Sequence, residues 1–180
     1  MKICVFLAEG FEEIEAVAPI DIFRRAGIEV LTISVTGNKV VSGAHAIPVL
    51  TDILFEDAGF ATDDFLFLPG GMPGTTNLGN HEGLRKLIVD KYSQGGNLAA
   101  ICAAPSILGN LNMLNGKEAI CYPGFENALK GASLSEQKVV QSGNVFTAKA
   151  AGVAIEFALR IVENIKGAEV AKSIREAIFL

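Results

Sequence analysis

Two rhythms alternate along this chain: short continuous apolar runs, and longer stretches with apolar residues at helical spacing. Lys2–Leu7 is a run rich in strand formers, and Glu13–Ala26 follows with Ile14, Val17, Ala18, Ile22 and Phe23 spaced as on a helix. Pro19 falls inside that helix and is expected to kink it, because it removes one backbone donor. Gly27 stops the helix, and Glu29–Val35 reads as the second strand. Lys39–Leu50 reads as a small hairpin-like excursion, with turn residues at Gly37-Asn38 and Ser42-Gly43. Strand Asp64–Leu68, loop Pro69–Gly74, helix Gly83–Gln94 and strand Asn97–Ile101 come next. Pro105–Leu111 belongs to a helix after a turn at Cys102. Ala119–Tyr122 is a short expected strand, and Val139–Gln141 with Val145–Ala148 forms another pair. Helices Val153–Ile165 and Ala168–Ile178, separated by Gly167, close the chain.

Such alternation predicts an α/β fold, a mostly parallel sheet with helices on both faces. Buried parallel strands should read as continuous apolar runs, and FLFL and LAAIC do so. Ligands of these folds bind beyond the carboxyl ends of the strands. Three segments converge there: Ala8–Glu15, Pro69–Gly74 and Cys102.

Composition narrows the function classes. The 180 residues fit one domain spanning 1–180, with no linker, repeat or low-complexity tract. Half of the residues are hydrophobic and 19% are charged, which excludes general disorder. A net charge of −5 with scattered basic residues, Arg24 and Arg25 being the densest pair, argues against a nucleic-acid groove. No apolar run approaches the roughly 18–20 residues of a membrane span. Three cysteines (Cys4, Cys102, Cys121) without CxxC spacing support neither a disulfide framework nor a zinc site. His45 and His81 are the only histidines, so no metal cluster and no cofactor is expected. The expected setting is a reducing one, the cytoplasm.

The candidate chemistry starts at Cys102. A strand, sharp turn and helix around it would hold the thiol against the first free amides of the helix, which favour thiolate. That makes it a candidate nucleophile; the alternative is a buried cysteine packing as a small apolar residue. Small Ala103 and Ala104 suit the turn. Glu9, Glu12, Glu13 and Glu15 crowd the start of the first helix, where acids complement its dipole. Dipole complementation suits Glu12 and Glu13. Glu15 shares a face with Phe11, Ala18 and Ile22 and would point inward, its carboxyl kept protonated by burial and by a neighbouring thiolate. As a neutral acid it would hydrogen-bond the sulfur and exchange protons with a substrate. Gly70 and Gly71 permit close backbone approach, so their amides, with that of Ala103, can form an oxyanion pocket; an ordinary turn is the alternative. His45 and His81 read as surface residues and Cys4 as inert core. Cys121 ends a strand that could reach the pocket as a resolving thiol, though packing is its simpler role.

Taken together, AEGFEEIEAVAPIDIFRRAGI, FLPGGMPG and AAICAAPSIL resemble the ThiJ/PfpI superfamily, nearest the branch of the parkinsonism-associated protein deglycase and its bacterial relatives. The resemblance extends to the C-terminal helices EFALRIVENIKG and EVAKSI. It implies a flavodoxin-like three-layer α/β sandwich, related to the class I glutamine amidotransferases and usually homodimeric. Cys102 corresponds to the reactive nucleophile, Glu15 to the acid that hydrogen-bonds it, and Gly70, Gly71 and Ala103 to the oxyanion amides. The first helix is implied as a dimer contact through Ile14, Val17 and Arg25. Three positions depart from the pattern. Ala103 stands where protease-like members have histidine, Tyr122 precedes Pro123 where the deglycase branch often has histidine, and the Arg-Gly-Pro-Gly element reads Lys149-Ala150-Ala151-Gly152. Tyr122 thereby becomes a substrate-facing wall, and the bases for peptide hydrolysis are missing. The expected activity is cofactor-free chemistry on glyoxal, methylglyoxal or early glycation adducts. A redox-responsive sensor or chaperone-like protein is the alternative, and an intracellular peptidase is disfavoured.

Overall fold

A computed structural model describes residues 1–180. In chain order the elements are β1 (Ile3–Leu7), α1 (Glu13–Arg25), β2 (Val30–Ser34), β3 (Val40–Ser42), β4 (Pro48–Leu50), β5 (Ile53–Leu54) and β6 (Phe65–Leu68). Then come α2 (Gly74–Asn80), α3 (Glu82–Ser93), β7 (Leu98–Ile101), α4 (Pro105–Asn110), β8 (Glu118–Ala119) and β9 (Ser133–Leu134). The chain finishes with β10 (Val139–Ser142), β11 (Val145–Ala148), α5 (Ala154–Lys166) and α6 (Ala168–Ala177).

Seven strands form one sheet in the order β10-β11-β7-β6-β1-β2-β5, parallel throughout except for the β10–β11 hairpin. Successive strand residues face opposite sides, so β1 sends Ile3, Val5 and Leu7 into one core and Cys4 and Phe6 into the other. The first core joins Phe23 of α1 to Phe67 and Phe157, with ring centroids 5.7 Å apart at each step. The second takes Leu84 and Ile88 from α3 and Leu108 from α4. Both faces being covered, β1, β6 and β7 are buried at every position, which is why they read as unbroken apolar runs. Layers of helix, sheet and helix make the flavodoxin-like sandwich.

Several expectations need correction. The expected strand Ala119–Tyr122 shrinks to Glu118–Ala119, because the next amides bond elsewhere: Ile120 N–H donates to Thr147 Oγ1 (3.1 Å) and Tyr122 N–H to the Cys102 carbonyl (2.8 Å). α2 forms over GTTNLGN, where no apolar periodicity announced it, anchored by buried Leu78. His81 is no plain surface residue. Its Nδ1 accepts the Leu84 amide (3.0 Å) and caps α3, and its ring packs edge-on to Phe55.

Candidate active site

The carboxyl ends of β1, β6 and β7 sit side by side, and each delivers one part of the site. Cys102 follows β7 directly and adopts the left-handed conformation, φ +65°. Two backbone bonds hold it there: its N–H donates to the Ala148 carbonyl (2.9 Å), and its carbonyl accepts from Tyr122. An L-residue in this region costs roughly 1–2 kcal/mol. The turn aims a half-buried sulfur toward the amides of Gly71 and Ala103, which lower its cost of ionisation. A strained turn from strand to short helix, with small neighbours, is the geometry of an elbow that presents a nucleophile.

Glu15 comes from the first turn of α1 and is only 1% exposed. Its Oε2 accepts the Gly70 amide at 2.9 Å. The other oxygen, Oε1, is buried without a completed hydrogen bond, although Cys102 and the Ala151 amide are close enough to ease its charge. Burial pushes the carboxyl up to about 7. The Cys102 thiol is pushed up to about 12, first by burial, then by the charge and close approach of Glu15.

These two values describe one shared proton. Above about pH 7 the pair carries a single negative charge, held either by the carboxylate or by the sulfur. An ionised Glu15 opposes thiolate; a protonated Glu15 removes the repulsion and donates through Oε1 to the sulfur. The expectation that the amides at the helix start favour the thiolate is therefore corrected. Burial outweighs the two amides, and the sulfur can ionise near neutrality only while Glu15 keeps the proton.

Gly70 is also corrected. Its N–H is committed to Glu15 and is not free for an oxyanion. Its bareness serves the pair, since a Cβ there would come within 2.6 Å of Glu15 Oε2 and 2.7 Å of Cys102 Cβ. Gly71 (φ +91°) and Ala103 remain as the donors facing the sulfur. Around Cys102 lies a cavity of about 320 Å³ walled by Glu12, Met72, Tyr122, Phe125 and Ala150–Gly152. Tyr122, 47% exposed, is among the residues that line it. Glu12, Met72 and Phe125 had not been anticipated. Phe125 follows a proline-glycine turn with no periodicity to flag it. A larger hollow of about 730 Å³ between β10, α5 and α6 is lined by no cysteine, serine or histidine.

Glu13 and His45 are the other surprise. Glu13 is 6% exposed, and it accepts from the amides of His45 (2.7 Å) and Ile47 (3.4 Å) and pairs with the His45 ring (2.9 Å). It fastens the β3–β4 loop to the start of α1, where dipole complementation alone had been expected. Glu12, Glu13 and His45 thus bring three potential ligand atoms within 4.8 Å of one another, Glu13 bonded directly to the His45 ring and Glu12 Oε2 3.5 Å from it. Cys4 and Cys121 are sealed in the core, pushed up by burial to about 12 and about 11. Cys121 does not line the cavity, so it is no resolving thiol for Cys102. Ile14, Val17 and Arg25 are exposed on α1, with Arg25 Nε 2.6 Å from Asp21. No helix is long and apolar enough to cross a membrane.

The chain matches the sequence profile of the DJ-1/PfpI family over residues 1–164. It is 35% identical to the Parkinson disease protein 7 homolog of Danio rerio, over 98% of this chain and 95% of that one. It is 31% identical to the glutathione-independent glyoxalase DJR-1.2 of Caenorhabditis elegans, over 96% and 92% respectively. Among solved structures, oxidized Toxoplasma gondii DJ-1 superposes with a TM-score of 0.93 at 33% identity, covering 99% of this chain and 97% of that one. Drosophila melanogaster DJ-1beta gives 0.93 at 31%, covering 100% and 99%. A thiol at a strained strand end, a buried acid beside it and full-length relatedness in sequence and fold agree: the chain belongs to the DJ-1/PfpI family.

Proposed function

We propose that the protein is a cofactor-free enzyme acting on small reactive carbonyls, with Cys102 as nucleophile and Glu15 as the proton-transfer group. The observation that carries this reading is the buried Glu15 carboxyl, one oxygen fixed by Gly70 and the other unpartnered beside Cys102 at the wall of the cavity. The glyoxalase named among the relatives supports the same class.

The sulfur, ionised while Glu15 holds the proton, adds to the aldehyde carbon of methylglyoxal. A C–S bond forms, and the carbonyl electron pair moves to oxygen, facing the amides of Gly71 and Ala103. Glu15 gives its proton to that oxygen, which yields a hemithioacetal and leaves the carboxylate as base. Glu15 then takes the proton from this carbon and returns one to the neighbouring carbon through an enediol, converting the adduct to a lactoyl thioester. Water hydrolyses the thioester, releasing lactate and the thiol. The first carbon is oxidised as the second is reduced, so no external electron carrier enters. On an early glycation adduct the sulfur displaces the amine and forms the same hemithioacetal.

The test is lactate formation from methylglyoxal without glutathione. Cys102→Ser and Glu15→Gln are expected to lose turnover; activity that survives unchanged in Cys102→Ser would sink the mechanism.

Peroxide sensing is the second reading, favoured by the same unpartnered Oε1, which can donate to a sulfinate. Stepwise oxygen uptake at Cys102 without carbonyl turnover, seen by intact mass, would support it. We also propose that two copies pair through α1, where Ile14 and Val17 leave apolar surface uncovered, and that the protein works in the cytoplasm.

A further inference from the structure

The cavity at Cys102 is lined by two carboxyl side chains, Glu12 and Glu15, and by no lysine, arginine or histidine. The basic group beside Glu12 is His45, whose Nδ1 lies 3.5 Å from Glu12 Oε2 but 2.9 Å from Glu13 Oε2. Even a protonated imidazole leaves that trio with one net negative charge. Arg85 lines a different hollow, of about 420 Å³, which shares only Met72 and Phe125 with the cavity at Cys102. The charge facing an incoming molecule is therefore of one sign.

We infer that Glu12 acts as a charge filter over Cys102, admitting cationic and neutral electrophiles and turning away those that carry a carboxylate or phosphate. This deepens the reading of the same site as a carbonyl-processing centre and names its substrate class: neutral or amine-bearing carbonyls in place of 2-oxo acids or sugar phosphates. An anion about 6 Å from Glu12, in a partly wet cavity, is disfavoured about tenfold, and a cation favoured by a similar factor. Glu12 is free to play this part. Its backbone is tied down, N–H to the Gly70 carbonyl (2.9 Å) and carbonyl from Ala16 (3.2 Å), while its side chain makes no cap bond to α1.

Thiol modification tests the filter without turnover. Methanethiosulfonates carrying a trimethylammonioethyl, a neutral ethyl or a sulfonatoethyl group each transfer their S-alkyl group to the sulfur and release methanesulfinate. Rates at Cys102, followed by intact mass and divided by those of N-acetylcysteine, should fall in the order cationic, neutral, anionic. The extremes should differ about a hundredfold. Glu12→Gln, which keeps size and backbone, should compress the range about a hundredfold, to near that of the free thiol, and Glu12→Lys should reverse the order. Ratios equal to those of the free thiol, or a range unchanged in Glu12→Gln, would overturn the inference. A charge order that holds in a protein without carbonyl turnover would sink the proposed activity alone. Turnover with no charge order would sink the filter alone. No reaction with any of the three reagents would overturn both.

Discussion

Replacing Glu15 with glutamine should move the pH dependence of Cys102 alkylation by at least two pH units. In the wild type the pair sheds its first proton near the value of about 7 to which burial pushes Glu15. The distribution of the remaining proton between oxygen and sulfur does not change with pH, so the rate should climb through pH 7 and then level off. Glutamine holds no such proton. The sulfur must then ionise unaided, losing the repulsion of Glu15 but keeping the burial that lifts it above its ordinary 9.0. From about 7 to above 9 is a shift of two pH units or more in the labelling midpoint. Iodoacetamide labelling between pH 5 and 10, followed by intact mass, reads both midpoints; the buried Cys4 and Cys121 should stay unlabelled. A glutamine variant that keeps the midpoint near 7 would refute the shared proton, as would a wild type that reacts only above pH 10. The same substitution has a stability consequence of opposite sense. The unfolded carboxyl releases its proton near 4.5 and the folded one near 7, so the native state is the better proton binder between them. Stability conferred at pH 4 is lost as pH rises through that window, about 3 kcal/mol in all. At pH 8, Glu15→Gln should therefore melt higher than the wild type, and at pH 4 the two should melt together.

Three further outcomes are expected. Gly70→Ala drives a methyl group between Glu15 and Cys102 and should cost about 1–3 kcal/mol in urea denaturation, with loss of the labelling midpoint near 7. Glu13→Ala leaves the amides of His45 and Ile47 without their acceptor and should cost about 1–3 kcal/mol. Burial raises the Glu13 carboxyl, but the bonds from His45 and the amides outweigh it and hold it low; their stabilisation is present above the ordinary carboxylate range and fades as pH falls through the lowered value, visible in melting between pH 7 and 3. Val17→Arg puts a charge on the uncovered face of α1 and should shift sedimentation toward the single chain; an unchanged coefficient would exclude that face as the interface.

The central sheet was legible because its physics is local to each run. A strand buried on both faces has no polar position, and FLFL and LAAI have none. Glu15 was legible for a related reason, an acid on the inward face of an otherwise apolar helix. What escaped depends on partners distant in the chain. Glu13 looks like any first-turn acid until the loop 32 residues later folds over it. Ile120–Tyr122 has the composition of a strand, yet a threonine hydroxyl and the Cys102 carbonyl take its amides before a neighbouring strand can. α2 carries two glycines and two threonines in seven residues, and the burial of Leu78 and bonds to the distant Glu9 and Gly10 carbonyls organise it. The ionisation of Cys102 could not be read at all, because desolvation is a property of the assembled cavity.

At position 102 the demands of folding and of chemistry part company. The backbone there would relax if the side chain were deleted to glycine, since φ +65° suits that residue and strains a cysteine. A chain under pressure only to endure would drift toward that replacement. With cysteine there, the turn keeps its strain and a thiol stands at the wall of the cavity.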